Sequence, residues 1–310
     1  MVSTSDNVPS FDWWPALARV WASVEAVRDG RALYVLLASF AAGGLALGQA
    51  QGAMSQNAAH WAIAWGAAAL FIAFYGANAA GLLMMDRALG RPERDVVVAM
   101  QDALGVAHRV LVALALVLSC VAVAAVAVLG LFWLCSLPGI GPWLFMLVVP
   151  LTVVVLGLAL VAGASVIGPM AGPAVWAGAS SWGSACMLWT MVRRQLLEAA
   201  VLMAALSVIT ALVGAGMSFI VIAGGRMMAQ LSIWLLGVDV APELFMAGLF
   251  GHSLQMMSAS DVPAVAQPYV SAASVGGGVV FALALVLPTL VYMRGVCEIY
   301  LVLRGTAARR

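Results

Sequence analysis

Residues 110–134 read VLVALALVLSCVAVAAVAVLGLFWL and contain no charged side chain. A helix rises about 1.5 Å per residue, so this stretch is longer than the roughly 30 Å of hydrocarbon in a bilayer. Five further apolar runs of comparable length occur at residues 32–50, 61–85, 143–169, 196–222 and 275–293. We therefore predict an all-α integral membrane protein with six transmembrane helices in a compact bundle.

The composition of the whole chain excludes a soluble domain. Of the 310 residues, 65% are hydrophobic and only 9% are charged, whereas a soluble domain carries roughly 25% charged residues. No segment concentrates basic charge outside the short stretches between spans, and we expect no nucleic-acid partner. Abundant Ala, Val, Gly and Arg with no lysine fits a G+C-rich bacterial coding sequence.

The distribution of arginine predicts the orientation of the spans. All fourteen basic residues are arginine, and short loops that carry Lys or Arg are retained on the cytoplasmic side of a membrane. With six spans, only Arg226 falls on the opposite side from the other arginines. We predict a multi-pass protein of the bacterial cytoplasmic (inner) membrane with both termini in the cytoplasm.

Each arginine-bearing stretch ahead of an odd-numbered span has the periodicity of an amphipathic helix. In the first, Trp14, Leu17, Trp21, Val24 and Val27 recur every three or four positions, which is typical of a helix lying flat at the membrane surface. Residues 92–107 show the same spacing, which places Val96, Met100, Ala103, Leu104 and Ala107 on one side of a helix, and so do residues 180–192. The alternative is that these stretches are ordinary cytosolic linkers that happen to be helical.

The spacing of these stretches predicts an internal repeat. Within a single membrane domain, residues 1–310, three copies of an interfacial helix plus a transmembrane hairpin would occupy residues 12–85, 90–169 and 180–304. The third copy differs from the others because a long outer insertion, residues 226–273, separates its two spans.

The outer insertion is unusually apolar for a segment outside the bilayer. A helix is expected to begin near Pro242, and one face of it carries large apolar residues: Leu244, Phe245, Leu249, Phe250 and Leu254. Such a face predicts contact with the membrane surface or with other membrane-protein subunits. An intramolecular lid over the spans is the alternative.

No pattern of catalytic, cofactor-binding or metal-binding residues is recognisable. The three histidines, His60, His108 and His252, fall at an outer span end, at the inner interface and in the outer insertion. His252 with Met256 and Met257 offers copper ligands at helical spacing, but seventeen methionines make this pairing expected by chance. The four cysteines include no C-x-x-C pair. We predict no catalytic residue, no cofactor and no metal site.

The polar side chains that are left suggest two kinds of contact. Asn78 lies inside the second span and would contact either a solute or a neighbouring helix, where an interhelical hydrogen bond stabilises by about 0.6–2 kcal/mol. On the inner side, five arginines are placed to contact the headgroups of anionic membrane lipids: Arg87, Arg91, Arg94, Arg193 and Arg194.

Two segments between spans carry a resemblance to known proteins. Residues 176–180 (WAGAS), followed by Ala185 and an arginine pair, resemble a pattern in YciC-like multi-pass bacterial proteins and in the membrane domain attached to some glycerophosphodiester phosphodiesterases. Residues 86–92 (DRALGRP), followed by Ala99, are similar to the element between their earlier spans. The resemblance covers the six-span body without the outer insertion, and Ala177 stands where an acidic residue is often found. It implies an architecture and no phosphodiesterase activity, because no phosphodiesterase domain and no metal-binding carboxylate cluster are recognisable.

Three function classes follow from the sequence. The favoured one is a non-catalytic accessory or scaffold subunit, or a lipid-interacting protein, of a membrane complex. The first alternative is a transporter or channel for a small or lipophilic solute, with a cavity lined by Asn78 and the proline-interrupted fourth and sixth spans. The second alternative is a membrane enzyme, which would require His or carboxylate side chains clustered in one pocket.

Overall fold

The computed structural model describes residues 11–92, 94–137, 139–236 and 267–307. Their elements in chain order are α1 (Trp13–Trp21), a 3-10 helix (Ala22–Arg28), α2 (Gly30–Ser55), α3 (Ala59–Ala88), α4 (Val96–Cys135), α5 (Gly141–Ala162), a π-helical turn (Gly163–Ile167), α6 (Gly168–Trp176), α7 (Ser181–Leu236) and α8 (Gln267–Ala307). Within these ranges there is no β-strand, and six helices are long and apolar enough to cross a membrane. The predicted all-α class and the predicted number of candidate spans are confirmed.

The helices are longer than the predicted spans. α4 has 40 residues, which corresponds to about 60 Å and is twice the thickness of the hydrocarbon layer. The predicted interfacial helix at residues 92–107 does not form a separate element, because α4 runs from Val96 through Arg109 into the third span without a break. No proline interrupts the chain there, and Gly105 stays helical and does not adopt the positive φ of a helix end, so nothing ends the helix.

The other two segments predicted to be interfacial are separated from the candidate spans that follow them. Between the 3-10 helix and α2, the Asp29 carboxylate accepts a hydrogen bond from the Ala32 amide at 3.4 Å and caps the first span. In α7 the separation is a kink at Gln195, whose backbone has φ −137° and ψ 24°. The three segments therefore join their spans in three ways: through a capped break, continuously, and through a kink.

Two helices end in the same backbone motif. After α3, Gly90 has φ +65°, its N–H donates to the Arg87 carbonyl at 3.1 Å, and the Arg91 N–H donates to the Asp86 carbonyl at 2.9 Å. After α6, Gly178 has φ +100°, and the corresponding bonds join residues 178 to 175 and 179 to 174. Both are Schellman motifs, which favour glycine at the left-handed position.

The core lies at the arginine-bearing ends of the helices. Its buried residues belong to α1, the 3-10 helix, the start of α2 and of α4, the end of α3, α6, α7 on both sides of its kink, and the end of α8. Small residues permit close contact: Gly76 of α3 faces the Ser39 side chain of α2, and a methyl group at Gly76 would collide with it.

Away from that core, the hairpin of α4 and α5 is largely exposed. In the most apolar window of α4 only 11% of residues are buried, and the window of the α5 to α6 span gives the same value. Large side chains such as Leu118, Val123 and Leu160 lie on its surface.

Candidate functional site

The first segment predicted to be interfacial has two distinct faces. Ala16 and Val20 of α1 are buried in the core, whereas the Trp14 and Trp21 side chains are 85% and 67% exposed. Small side chains thus contact the protein, and large aromatic ones point away from it.

The same division recurs at the start of α4. Ala99, Ala103 and Ala107 recur every fourth residue and are buried, while Met100 and Leu104 are exposed. We expected Met100 to share one helix face with Ala103 and Ala107. In the structure the two small residues are buried and the larger Met100 is exposed.

The first arm of α7 repeats the arrangement with tryptophan. Ser184 and Leu188 are buried, and Trp182 and Trp189, two turns apart on the other face, are exposed. A soluble helix buries its large apolar residues and exposes its polar ones, so this outward apolar surface is typical of contact with a membrane.

An arginine–aspartate cluster joins three elements at the same end of the molecule. The Arg94 Nε lies 2.8 Å from Asp86 Oδ2, and its Nη2 lies 3.4 Å from Oδ1. Arg94 Nη1 also contacts the Asp102 carboxylate at 2.9 Å. Since the Asp86 side chain is only 3% exposed, Arg94 compensates a carboxylate that water reaches poorly.

The cluster extends to α2. Arg87 Nη1 lies 3.1 Å from Asp29 Oδ2, and Arg31 donates to the Arg94 carbonyl at 3.2 Å. The Schellman motif after α3 is what places Asp86 and Arg87 beside the returning chain. Two of the predicted lipid-contact arginines, Arg87 and Arg94, are therefore engaged in holding α2, α3 and α4 together.

A neighbouring pair ties α8 to α3. Arg294 contacts Glu298 one turn away at 2.7 Å, and its Nη1 donates to the Met84 carbonyl at 3.3 Å. A guanidinium near the end of α3 also faces the negative end of that helix dipole.

The remaining predicted lipid-contact arginines lie on the surface. Arg91, Arg193 and Arg194 are exposed. The Arg193 guanidinium carbon lies 5.9 Å from the centre of the Trp189 ring, so an exposed cation and an exposed indole share one patch.

Asn78 makes an interhelical contact. The Trp176 indole N–H donates to Asn78 Oδ1 at 3.0 Å, and Asn78 Nδ2 donates to the Phe74 carbonyl at 2.9 Å. The Trp176 ring fits between two glycines, since a methyl group at Gly81 would overlap it and one at Gly172 would come within 2.8 Å of it. Asn78 and Trp176 thus join α3 to α6.

The other predicted features are dispersed or lie outside the described residues. Across the described ranges, no three His, Cys, Asp or Glu side chains form a group that could hold a metal ion. Leu244, Phe245, Leu249 and Phe250 of the outer insertion lie outside these ranges, as do His252 and its methionines. Only the ends of the insertion are described, as the last turns of α7 and the first turns of α8.

Sequence reasoning missed the partners of the arginines. Asp29, Asp86 and Asp102 are acidic residues within arginine-bearing stretches, and their alternation with Arg87 and Arg94 is the signal from which ion pairing follows. Asn78 and Trp176 are 98 residues apart in the chain, so no local sequence pattern predicts their contact.

No family model, curated protein or solved structure matches this chain.

Proposed function

We propose that this chain is a non-catalytic, lipid-interacting scaffold subunit of the bacterial inner membrane, with both termini in the cytoplasm. The observation that carries this proposal is the outward apolar face shared by the three interfacial segments, with Trp14, Trp21, Trp182 and Trp189 as its largest members. Indole rings favour the headgroup layer, and exposed arginines beside them attract anionic lipid.

A threefold repeat of interfacial segment plus hairpin is part of the proposal. The matching Schellman motifs at Gly90 and Gly178 support it, because they close the hairpins of the first two copies at equivalent positions. The YciC-like architecture is consistent with such a repeat and stays a proposal as well.

The exposed surface of the α4–α5 hairpin favours the function of a scaffold subunit and not that of a self-contained transporter. A solute path is enclosed by packed helices, whereas this hairpin leaves most of its apolar surface open to lipid or to another subunit. Together with the apolar face predicted in the outer insertion, it gives the chain two surfaces suited to partner subunits.

The test is purification of the full chain in native-like lipid discs, followed by identification of the lipids and proteins retained. We expect anionic phospholipid to be enriched, and enrichment to fall when salt is raised. Arg91→Gln and Arg193→Gln should each weaken retention roughly fivefold, since a surface arginine contributes about 1 kcal/mol to binding of anionic lipid. Gln101→Ala, at an exposed uncharged residue, is the control and should leave lipid retention unchanged, because it removes no charge.

Retention of no lipid above bulk composition, together with a chain that purifies alone, would contradict the scaffold proposal. A defined protein complex that copurifies would support it and would exclude a stand-alone transporter.

The orientation is testable with an engineered cysteine. Ser180 is exposed in the segment that precedes α7. A membrane-impermeant maleimide should label Ser180→Cys in inverted membrane vesicles and not in intact cells. The unsubstituted chain gives the background from the native cysteines, and labelling of Ser180→Cys in intact cells would reverse the proposed topology.

A transporter for a small or lipophilic solute is the second candidate. It is favoured by the π-helical turn Gly163–Ile167, which interrupts the fourth span between Pro150 and Pro173, because π-turns often occur at functional sites. Solute flux into liposomes containing the purified chain, lost on Ser165→Val within the turn, would support this candidate. Absence of flux for amphipathic test solutes in liposomes that contain folded protein counts against it.

A further inference from the structure

The 3-10 helix that follows α1 is long for its type. It begins directly after Trp21 and runs over seven residues, Ala22–Arg28, whereas runs of more than three or four residues are uncommon. A 3-10 helix has three residues per turn, so side chains three positions apart lie directly above one another. In an α-helix the same side chains would turn by about 60° from one to the next. The 3-10 form therefore arranges the side chains in three straight rows.

Each of the three rows has its own chemistry. The first row is buried against the core, and its members are Ser23, Ala26 and Asp29. The second row is apolar and exposed, and its members are Trp21, Val24 and Val27. The third row is exposed and includes both charged side chains of the helix, with the members Ala22, Glu25 and Arg28. One row thus contacts the protein, one suits hydrocarbon and one suits water.

α1 lengthens the apolar row. Trp14 is exposed and lies on the same face as Trp21, because seven residues are close to two turns of an α-helix. At 1.5 Å per residue in α1 and about 2.0 Å in the 3-10 helix, residues 13–28 extend over about 27 Å. The capped break at Asp29 then separates this apolar row from α2.

The first arm of α7 is a second element of this kind. Trp182 and Trp189 are exposed and also lie seven residues apart, while Ser184 and Leu188 are buried on the other face. The arm runs from residue 181 to the kink at Gln195, which is a length of about 21 Å. It is therefore also separate from the span that follows it.

Both elements lie at the same end of the molecule. Buried residues of α1, of the 3-10 helix and of the first arm of α7 belong to the one core at the arginine-bearing ends of the helices. At the other end, α3 begins at Ala59 soon after α2 ends at Ser55, and α5 begins at Gly141 soon after α4 ends at Cys135. Among the described residues, apolar elements that are separate from a span therefore lie at one end only.

An amphipathic element in the membrane interface inserts its apolar face about 5–10 Å into the boundary between headgroups and acyl chains. Because it spreads only the leaflet that holds it, its binding depends on curvature. Two elements of these lengths, each about 10 Å wide, occupy about 500 Å² of one leaflet.

We propose that this chain preferentially occupies and stabilises membrane in which the leaflet that holds these two elements is convex. In the proposed orientation this is the cytoplasmic leaflet, and the membrane bulges towards the cytoplasm. The proposal rests on the lipid-interacting function and adds a preferred membrane shape to it.

The experiment measures how the full chain distributes between a giant vesicle of neutral phosphatidylcholine and a narrow tube pulled outward from it. A fluorophore is attached to Ser180→Cys, beside the first arm of α7, in a chain that also carries Cys120→Ala, Cys135→Ala and Cys186→Ala. An impermeant quencher outside the vesicle identifies the copies whose arm lies in the outer leaflet, which is convex in the tube. We expect these copies to be enriched in the tube about twofold or more relative to a lipid dye, and copies of the opposite orientation to be depleted. The two orientations are compared in one preparation with both apolar rows intact, so a folding defect in a row variant cannot obscure the result.

Two pairs of substitutions then locate the effect. Trp21→Gln with Trp189→Gln should remove at least about half of the enrichment, because each element loses one of its two large exposed aromatic side chains. Trp133→Gln with Trp143→Gln is the matched control. These two tryptophans are 70% and 76% exposed at the opposite end of the bundle, and the enrichment should keep its value.

The outcomes separate this proposal from the proposed function. Equal distribution of the two orientations, or enrichment of the copies whose arm lies in the concave leaflet, overturns the preferred shape even if the chain retains anionic lipid. Enrichment that survives Trp21→Gln with Trp189→Gln overturns it as well, because the shape of the bundle and not the two elements would then set the preference. The tube contains no anionic lipid, so a chain that retains none in lipid discs would count against the proposed function alone.

Discussion

The most apolar window of α3 has a mean hydropathy of 1.7 and is 56% buried, whereas that of α4 has a mean hydropathy of 2.9 and is 11% buried. α8 resembles α3, with a mean hydropathy of 1.5 and 50% of its residues buried, and the α5 to α6 span resembles α4. In a soluble protein the most apolar helix is the one buried in the core. In this chain the more apolar helix is the less buried one. A membrane favours that arrangement, because lipid tails contact Leu and Val on the outside of a bundle without a cost in free energy.

The difference also shows what stabilises each region. Lipid tails are as apolar as leucine, so helix association in a membrane depends on close packing and polar contacts. α3 has both: Gly76 and Gly81 permit close contact with neighbouring side chains, and Asp86 and Asn78 bind partners on other elements. On the exposed part of α4, the Ser119 hydroxyl donates to the Ala115 carbonyl of its own helix, and the bond joins α4 to nothing else.

The largest expected effect comes from breaking the ion pair at the end of α3. Arg94→Gln leaves the buried Asp86 carboxylate without its cation and should lower the free energy of unfolding by about 3 kcal/mol, the lower end for a buried pair because Arg94 is partly exposed. Titration with a denaturing detergent in mixed micelles measures this change. Arg91→Gln, at an exposed neighbour, should change it by less than about 0.5 kcal/mol.

The double variant Arg94→Gln with Asp86→Asn identifies the cause of the lower free energy of unfolding in Arg94→Gln. If an uncompensated charge is responsible, removing the carboxylate as well should recover most of the stability lost in Arg94→Gln. A double variant no more stable than the single one would mean that Arg94 acts through packing or through its contact with Asp102.

A smaller effect is expected from adding one methyl group to each region. Gly81→Ala places a carbon against the Trp176 indole and should destabilise the protein by about 1–3 kcal/mol, as overpacking does. Gly157→Ala in α5 faces open space and should be neutral or slightly stabilising, by at most about 1 kcal/mol from helix propensity. The two midpoints of thermal unfolding, measured side by side, test the contrast, and equal shifts would remove the distinction between the two helices.

The sequence predicted the parts of this fold that depend on composition and periodicity. Residues 110–134 are apolar over more than the thickness of a bilayer, so the existence of the span needs no knowledge of its neighbours. The break at Asp29 and the turn at Gly90 were not predicted, although both are local: a capping carboxylate and a glycine with positive φ act within one turn.

What the sequence did not predict depends on contacts between distant residues. Met100 was expected beside Ala103 and Ala107, and the structure exposes Met100 because neighbouring helices approach closely enough to admit only the alanines. The pairing of Arg94 with Asp86 was not predicted either, and it arises because the Schellman motif turns the chain back over the end of α3. The periodicity of a sequence predicts which residues share a helix face, but it does not predict which face packs against a neighbouring helix.

The smallest effect in this comparison concerns single hydrogen bonds. Asn78→Ala removes the acceptor of the Trp176 indole N–H and should lower the free energy of unfolding by about 0.6–1.7 kcal/mol, from the average to the maximum measured for polar contacts between helices in a membrane. Ser119→Ala in α4 removes a bond that stays within one helix and should change stability by less than about 0.5 kcal/mol. A double-mutant cycle of Asn78→Ala with Trp176→Phe, which keeps the ring and removes the N–H, isolates the coupling between the two residues. A coupling of about 1 kcal/mol means that Asn78 is used to join α3 to α6, whereas a coupling near zero would leave its amide available to a solute and would favour the transporter.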